Sequence, residues 1–75
     1  MPTIINLGAF VIRLYAGEHG RPHVHVLGPD FGAVLDIETG DLLAGEIPMA
    51  HRRKAVAWIG ENRGDLLGAW NALNP

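Results

Sequence analysis

Apolar residues alternate with polar ones along the first half of the chain and change to a helical spacing in the second half. In residues 10–15, Phe10, Ile12 and Leu14 fall on one side and Val11, Arg13 and Tyr15 on the other, the period of a half-buried strand. Residues 3–7 are rich in β-formers and predict an extended segment ended by Gly8. Residues 23–27 alternate again, with Val24 and Val26 on one face and His23, His25 and Leu27 on the other. Gly28-Pro29-Asp30 reads as a turn, and residues 33–37 as the next strand. Glu38-Thr39-Gly40-Asp41 reads as a tight hairpin connection with Gly40 at positive φ, leading into a return strand over residues 42–46. Strands that follow one another through short turns predict an antiparallel meander.

After Pro48 the pattern is helical. Ala55, Val56 and Ile59 form one stripe, and Leu66, Leu67, Trp70 and Leu73 form a second in phase with it. A single 25-residue helix would run about 38 Å, too long for so small a domain to cover. Gly60 and Gly64 each weaken the middle by about 1 kcal/mol relative to Ala. Asn62, with Asp65 three residues on, resembles an N-cap, so two helices with a break near residues 60–63 are predicted. The fold expectation is α+β: a single domain over residues 1–75, with a three- to four-stranded antiparallel meander sheet covered on one face by C-terminal helices. Ile12, Leu14, Val24, Val26, Leu35 and Ile37 are the expected core of the sheet, and Val56, Ile59, Leu66 and Trp70 that of the helices.

Composition narrows the function classes. A chain of 75 residues buries only about 60% of its unfolded surface, so a dimer contact, a bound metal or a partner protein would add stability. With no cysteine, disulfides and thiolate metal sites are excluded. The formal net charge of −2 gives no global field toward nucleic acid. No apolar run approaches the roughly 20 residues a bilayer requires. The first residues, Met1-Pro2-Thr3-Ile4, lack the pattern of a signal peptide, so a cytoplasmic location is the default expectation.

Three of the four histidines, His19, His23 and His25, lie close together. Strand spacing projects His23 and His25 from one face about 6.5–7 Å apart, near enough to lean onto one ion. His19, in the preceding loop, is a third candidate ligand, and Glu18 or Asp30 could supply an oxygen. Three protein ligands plus water would make an open site for a divalent metal such as zinc. The plainer alternative is that Val24 and Val26 define the core and the histidines occupy the solvent face. A histidine triad of the nucleotide-hydrolase kind fits poorly, because its third position here is Leu27. The chain has neither Ser nor Cys, so no such nucleophile exists.

His51-Arg52-Arg53-Lys54 opens the first predicted helix. Arg52, Arg53 and Lys54 are candidates for phosphate contacts in a nucleic acid; the ordinary alternative is a solvated face pairing with Asp36, Glu38, Asp41 and Glu46. Trp58, beside the apolar stripe, is a candidate anchor for a partner or a second copy. Tyr15 is placed to close the histidine face.

These residues together resemble a family. The opening Met-Pro-Thr-Ile, the strand at residues 10–15, Glu-His-x-x-Pro-His-Val-His-Val at 18–26, Asp36-Ile37-Glu38-Thr39-Gly40, Ile47-Pro48 and Trp58-Ile59-x-Glu61-Asn62-Arg63-x-x-Leu66-Leu67-x-x-Trp70 follow the order of the bacterial domain of unknown function 4160. The resemblance covers nearly the whole chain. It implies a small stand-alone protein encoded beside another short gene, as in a toxin–antitoxin pair. It draws attention to His19, Pro22, His23 and His25, and it marks Arg21 as a departure, since many members carry a second proline there. The leading expectation is therefore a non-enzymatic interaction protein, bound to a neighbouring gene's product or to a second copy. The alternatives are a metal-dependent hydrolase or ribonuclease using His19, His23 and His25, and a nucleic-acid binder using Arg52, Arg53 and Lys54.

Overall fold

The computed structural model describes residues 3–75, Thr3 by its backbone alone; Met1 and Pro2, which open the family resemblance, lie outside the described residues. Five strands are followed by two helices: β1 (Thr3–Asn6), β2 (Val11–Leu14), β3 (His23–Gly28), β4 (Phe31–Asp36), β5 (Leu42–Glu46), α1 (Met49–Glu61) and α2 (Arg63–Leu73). The sheet is a fully antiparallel meander in the order β1-β2-β3-β4-β5. The expected three to four strands become five because the extended N-terminal segment pairs with β2, Ile5 opposite Ile12. The fourth strand begins at Phe31, two residues earlier than its alternation indicates. Phe31 pairs with Gly28, so the connection shrinks to Pro29-Asp30.

Alternation decides which face is buried. Ile12, Leu14, Val24, Val26 and Leu35 have almost no exposure and pack with Ile37, Ala55, Ile59, Leu66 and Trp70; Ala33 is buried as well. Val56, expected in the core, is half-buried, and Ala55 takes the central place. Val56 packs over the hairpin turn instead, where a Cβ at Gly40 would lie 3.2 Å from its Cγ1. Gly40 has the expected positive φ, 78°.

The helix breaks at Asn62, within the predicted window, but Asn62 does not cap α2 with its side chain. Its Nδ2 donates instead to the Trp58 carbonyl, satisfying the end of α1. The Asn62 carbonyl still accepts the first bond of α2, from Leu66 N–H at 2.9 Å. Arg63, the first residue of α2, donates from Nε to the Ile37 carbonyl at 3.0 Å, tying the helix pair to the β4–β5 turn. Among the described residues no helix is long and apolar enough to cross a membrane.

The β4–β5 ladder slips between Val34 and Leu35, skipping Leu43, and nearby Gly45, opposite Ala33, has φ of 80°. A Cβ there would lie 2.2 Å from the Gly32 carbonyl oxygen. Gly45→Ala is therefore expected to cost at least about 1–2 kcal/mol from the left-handed backbone alone. Gly68, in the middle of α2, meets open space, so Gly68→Ala is expected to add about 0.5–1 kcal/mol. Urea unfolding of the two variants should move in opposite directions; a neutral Gly45→Ala would mean that the backbone at Gly45 is not built as described.

Candidate metal centre

The strand period that buries Val24 and Val26 leaves His23 and His25 on the other side of β3. Their ring centroids are 5.3 Å apart. The loop between β2 and β3 folds back over them and brings one carboxylate oxygen, Glu18 Oε1, to 2.5 Å from His25 Nε2 and 3.3 Å from His23 Nε2. Glu18, His23 and His25 each present a ligand atom, and the three atoms lie within 4.8 Å of one another.

Each member is held in place. His23 Nδ1 faces the Arg21 carbonyl at 2.7 Å, and its ring leans on Trp70, 4.7 Å between centroids. The Tyr15 ring meets His25 edge-on at 4.8 Å, in the closing position the sequence assigns it. The loop is fastened by the end of α2. Asn74 accepts from the Glu18 N–H through Oδ1 at 2.7 Å, and donates through Nδ2 to the Tyr15 carbonyl at 3.1 Å. Burial pushes the Glu18 carboxyl toward the neutral form. Its hydrogen bonds and charge interactions with His25 and His23 outweigh that, so the net shift is downward and Glu18 is a carboxylate at neutral pH.

The Arg21 carbonyl is itself held by the hairpin turn. The Arg21 guanidinium pairs through Nε with Asp36 Oδ2, and the Pro22 carbonyl accepts from Ile37 N–H at 3.0 Å. Asp36 is the buried charged residue at the end of β4, directly across the ladder from His23. Its Oδ1 also accepts from the Glu38 and Thr39 N–H groups at 2.7 and 3.0 Å. A proline at position 21 would lack the guanidinium that reaches Asp36.

The remaining candidate residues are placed as follows. His19 is exposed and lies outside the three-atom group. It lines a pocket of about 310 Å³ with Glu18, Trp70, Leu73 and Asn74. Asp30 stands in the turn at the opposite end of β3. Arg52 is half-buried, while Arg53 and Lys54 are exposed. Lys54 donates to the Leu7 carbonyl at 2.9 Å and lies 5.9 Å from the Phe10 ring centroid. His51 stacks on Phe31, which places the fourth histidine in packing. Trp58 is half-buried against the core.

The fold and this cluster define a small helix-backed antiparallel domain with a carboxylate–imidazole group formed by β3 and the loop that precedes it. The family model Domain of unknown function (DUF4160) matches residues 9–71, and the chain belongs to that family. No curated protein and no solved structure matches it.

Asp36 yields a pH prediction. Burial alone would raise its pKa, but the Thr39 and Glu38 N–H groups and the Arg21 cation pull it below the ordinary aspartate value. The stability it supplies is therefore present above about pH 4 and is lost as pH falls through the folded value. Arg21 is 61% exposed, so its share is largely screened, and the two turn bonds from Glu38 and Thr39 carry most of the effect. Asp36→Asn is expected to cost about 1–2 kcal/mol at pH 7 in urea unfolding, with the difference narrowing in acid. A cost that does not depend on pH would contradict a role for the charge.

Proposed function

We propose that this chain is a metal-binding domain whose ion, a divalent transition metal such as zinc, is held by Nε2 of His23, Nε2 of His25 and the Glu18 carboxylate. The observation that carries this reading is the convergence of those three ligand atoms. A neutral imidazole has one N–H, and His23 has an oxygen facing each of its two nitrogens. With the proton on Nδ1, toward Arg21, the Nε2 lone pair faces a carboxylate. A cation between the two removes that conflict, and a carbonyl on the far nitrogen is the usual way a protein orients a histidine ligand.

The dimensions are compatible. Zinc bonds of about 2.0–2.2 Å put tetrahedral ligand atoms roughly 3.3 Å apart. His25 Nε2 and Glu18 Oε1, now 2.5 Å apart, would separate by about 1 Å, within the reach of a loop carboxylate. Three protein ligands leave a position open, and an ion there polarises a bound water, the chemistry of hydrolysis, a ribonuclease included. Zinc titration is expected to show one ion per chain and a melting temperature raised by roughly 10–20 °C at a hundredfold excess over Kd. Glu18→Gln and His25→Gln should abolish both effects, and His19→Gln should keep them. Absence of zinc uptake by the wild-type chain, or full uptake by Glu18→Gln, would contradict the reading.

A second reading, one half of a two-gene toxin–antitoxin-like module, draws on a different feature. β1 is an edge strand, and beside it lies a cleft of about 320 Å³ lined by Ile5, Leu14, Trp58, Leu66 and Ala69. A partner's strand could pair with that edge and seat an apolar side chain in the cleft. In this reading the tagged chain co-purifies with the product of the adjacent gene. Failure of the two to associate when co-expressed removes it.

A further inference from the structure

Arg13 is a half-buried cation without a counter-charge. It pairs with no carboxylate among the described residues, and its Nε is fully buried with no hydrogen-bond partner. Its place in the ladder is informative. Arg13 lies directly across from His25 in the β2–β3 pairing, so the two side chains leave the same face with Cβ atoms about 4.5–5.5 Å apart. Tyr15, just past the end of β2, touches His25. The nearby carboxylate, Glu18, is already engaged by both imidazoles.

Taking the Arg13 Nε–H out of water without a partner is unfavourable, because that donor loses its hydrogen bond. A residue that serves only to fill this face would be better apolar, as Val11 and Leu27, the next facing pair along the ladder, show. The arginine fork matches the paired oxygens of phosphates and carboxylates. A metal ion one strand away, with a position open, attracts the same groups.

We propose that Arg13 forms an oxyanion subsite beside the Glu18–His23–His25 centre, so that a phosphate- or carboxylate-bearing ligand places one oxygen on the ion and others on the guanidinium. The inference rests on the metal reading and assigns that site its ligand class. It gives Arg13 a positioning and recognition role rather than a structural one.

Cobalt(II) is the test ion, because its visible absorption reports on its ligands. The cobalt-loaded chain is titrated with phenyl phosphate and, separately, with benzoate, which distinguishes the two oxyanion sources. At least one is expected to change the spectrum. Arg13→Gln is expected to weaken that binding at least about tenfold, with cobalt affinity unchanged and melting temperature equal or higher. Arg13→Lys, which keeps the charge and loses the fork, should fall between. If cobalt binds but neither anion does, or Arg13→Gln binds the anion as the wild type does, the subsite is wrong and the metal reading stands. A wild-type chain that retains no cobalt overturns both.

Discussion

One carboxylate oxygen shared between two imidazoles is the contact on which the candidate site depends. Glu18 Oε1 faces Nε2 of both His23 and His25, while His23 presents its other nitrogen to a backbone carbonyl. The strand supplies half of this arrangement without further instruction, since a period of two must put both histidines on one side once Val24 and Val26 are buried. The other half, the return of Glu18 over the rings, requires the loop between β2 and β3 to be held in one conformation.

That loop is held at both ends by different parts of the fold. At one end Asn74, just past α2, binds the main chain at Tyr15 and Glu18. At the other, Arg21 and Pro22 are fixed to the β4–β5 turn through Asp36 and Ile37. Arg63 then ties the same turn to the start of α2. Helix, hairpin and loop thus share a small set of polar contacts around a core that this short chain can only just enclose. A ligand that ordered the loop would stabilise the whole domain by linkage.

The period-two runs and short turns made the meander legible, and Asn62 with its neighbouring glycines marked the helix break. What pattern could not show was how the polar side chains would be spent. Asn62 offers its amide to the helix behind it rather than to the one ahead, a choice decided by local geometry that the two patterns share. Asp36 reads as an ordinary polar position on a strand, yet it is buried because the following Glu38 and Thr39 turn back to bind it. His23 and His25 were readable as a pair from spacing alone. The third member, Glu18, was one candidate among His19, Glu18 and Asp30, and pattern could not choose between them, because loop closure depends on Asn74, 56 residues beyond Glu18 in the chain. Arg13 carries no motif at all; its interest appears only when the ladder sets it across from His25.

Long-range ¹⁵N–¹H correlation of the four histidine side chains, recorded with and without one equivalent of zinc, bears most directly on the centre. The account predicts that the Nε2 resonances of His23 and His25 move to metal-bound positions, that His23 keeps its proton on Nδ1, and that His51 stays put. Zinc-induced shifts confined to His19 or His51, or none at all, would contradict it.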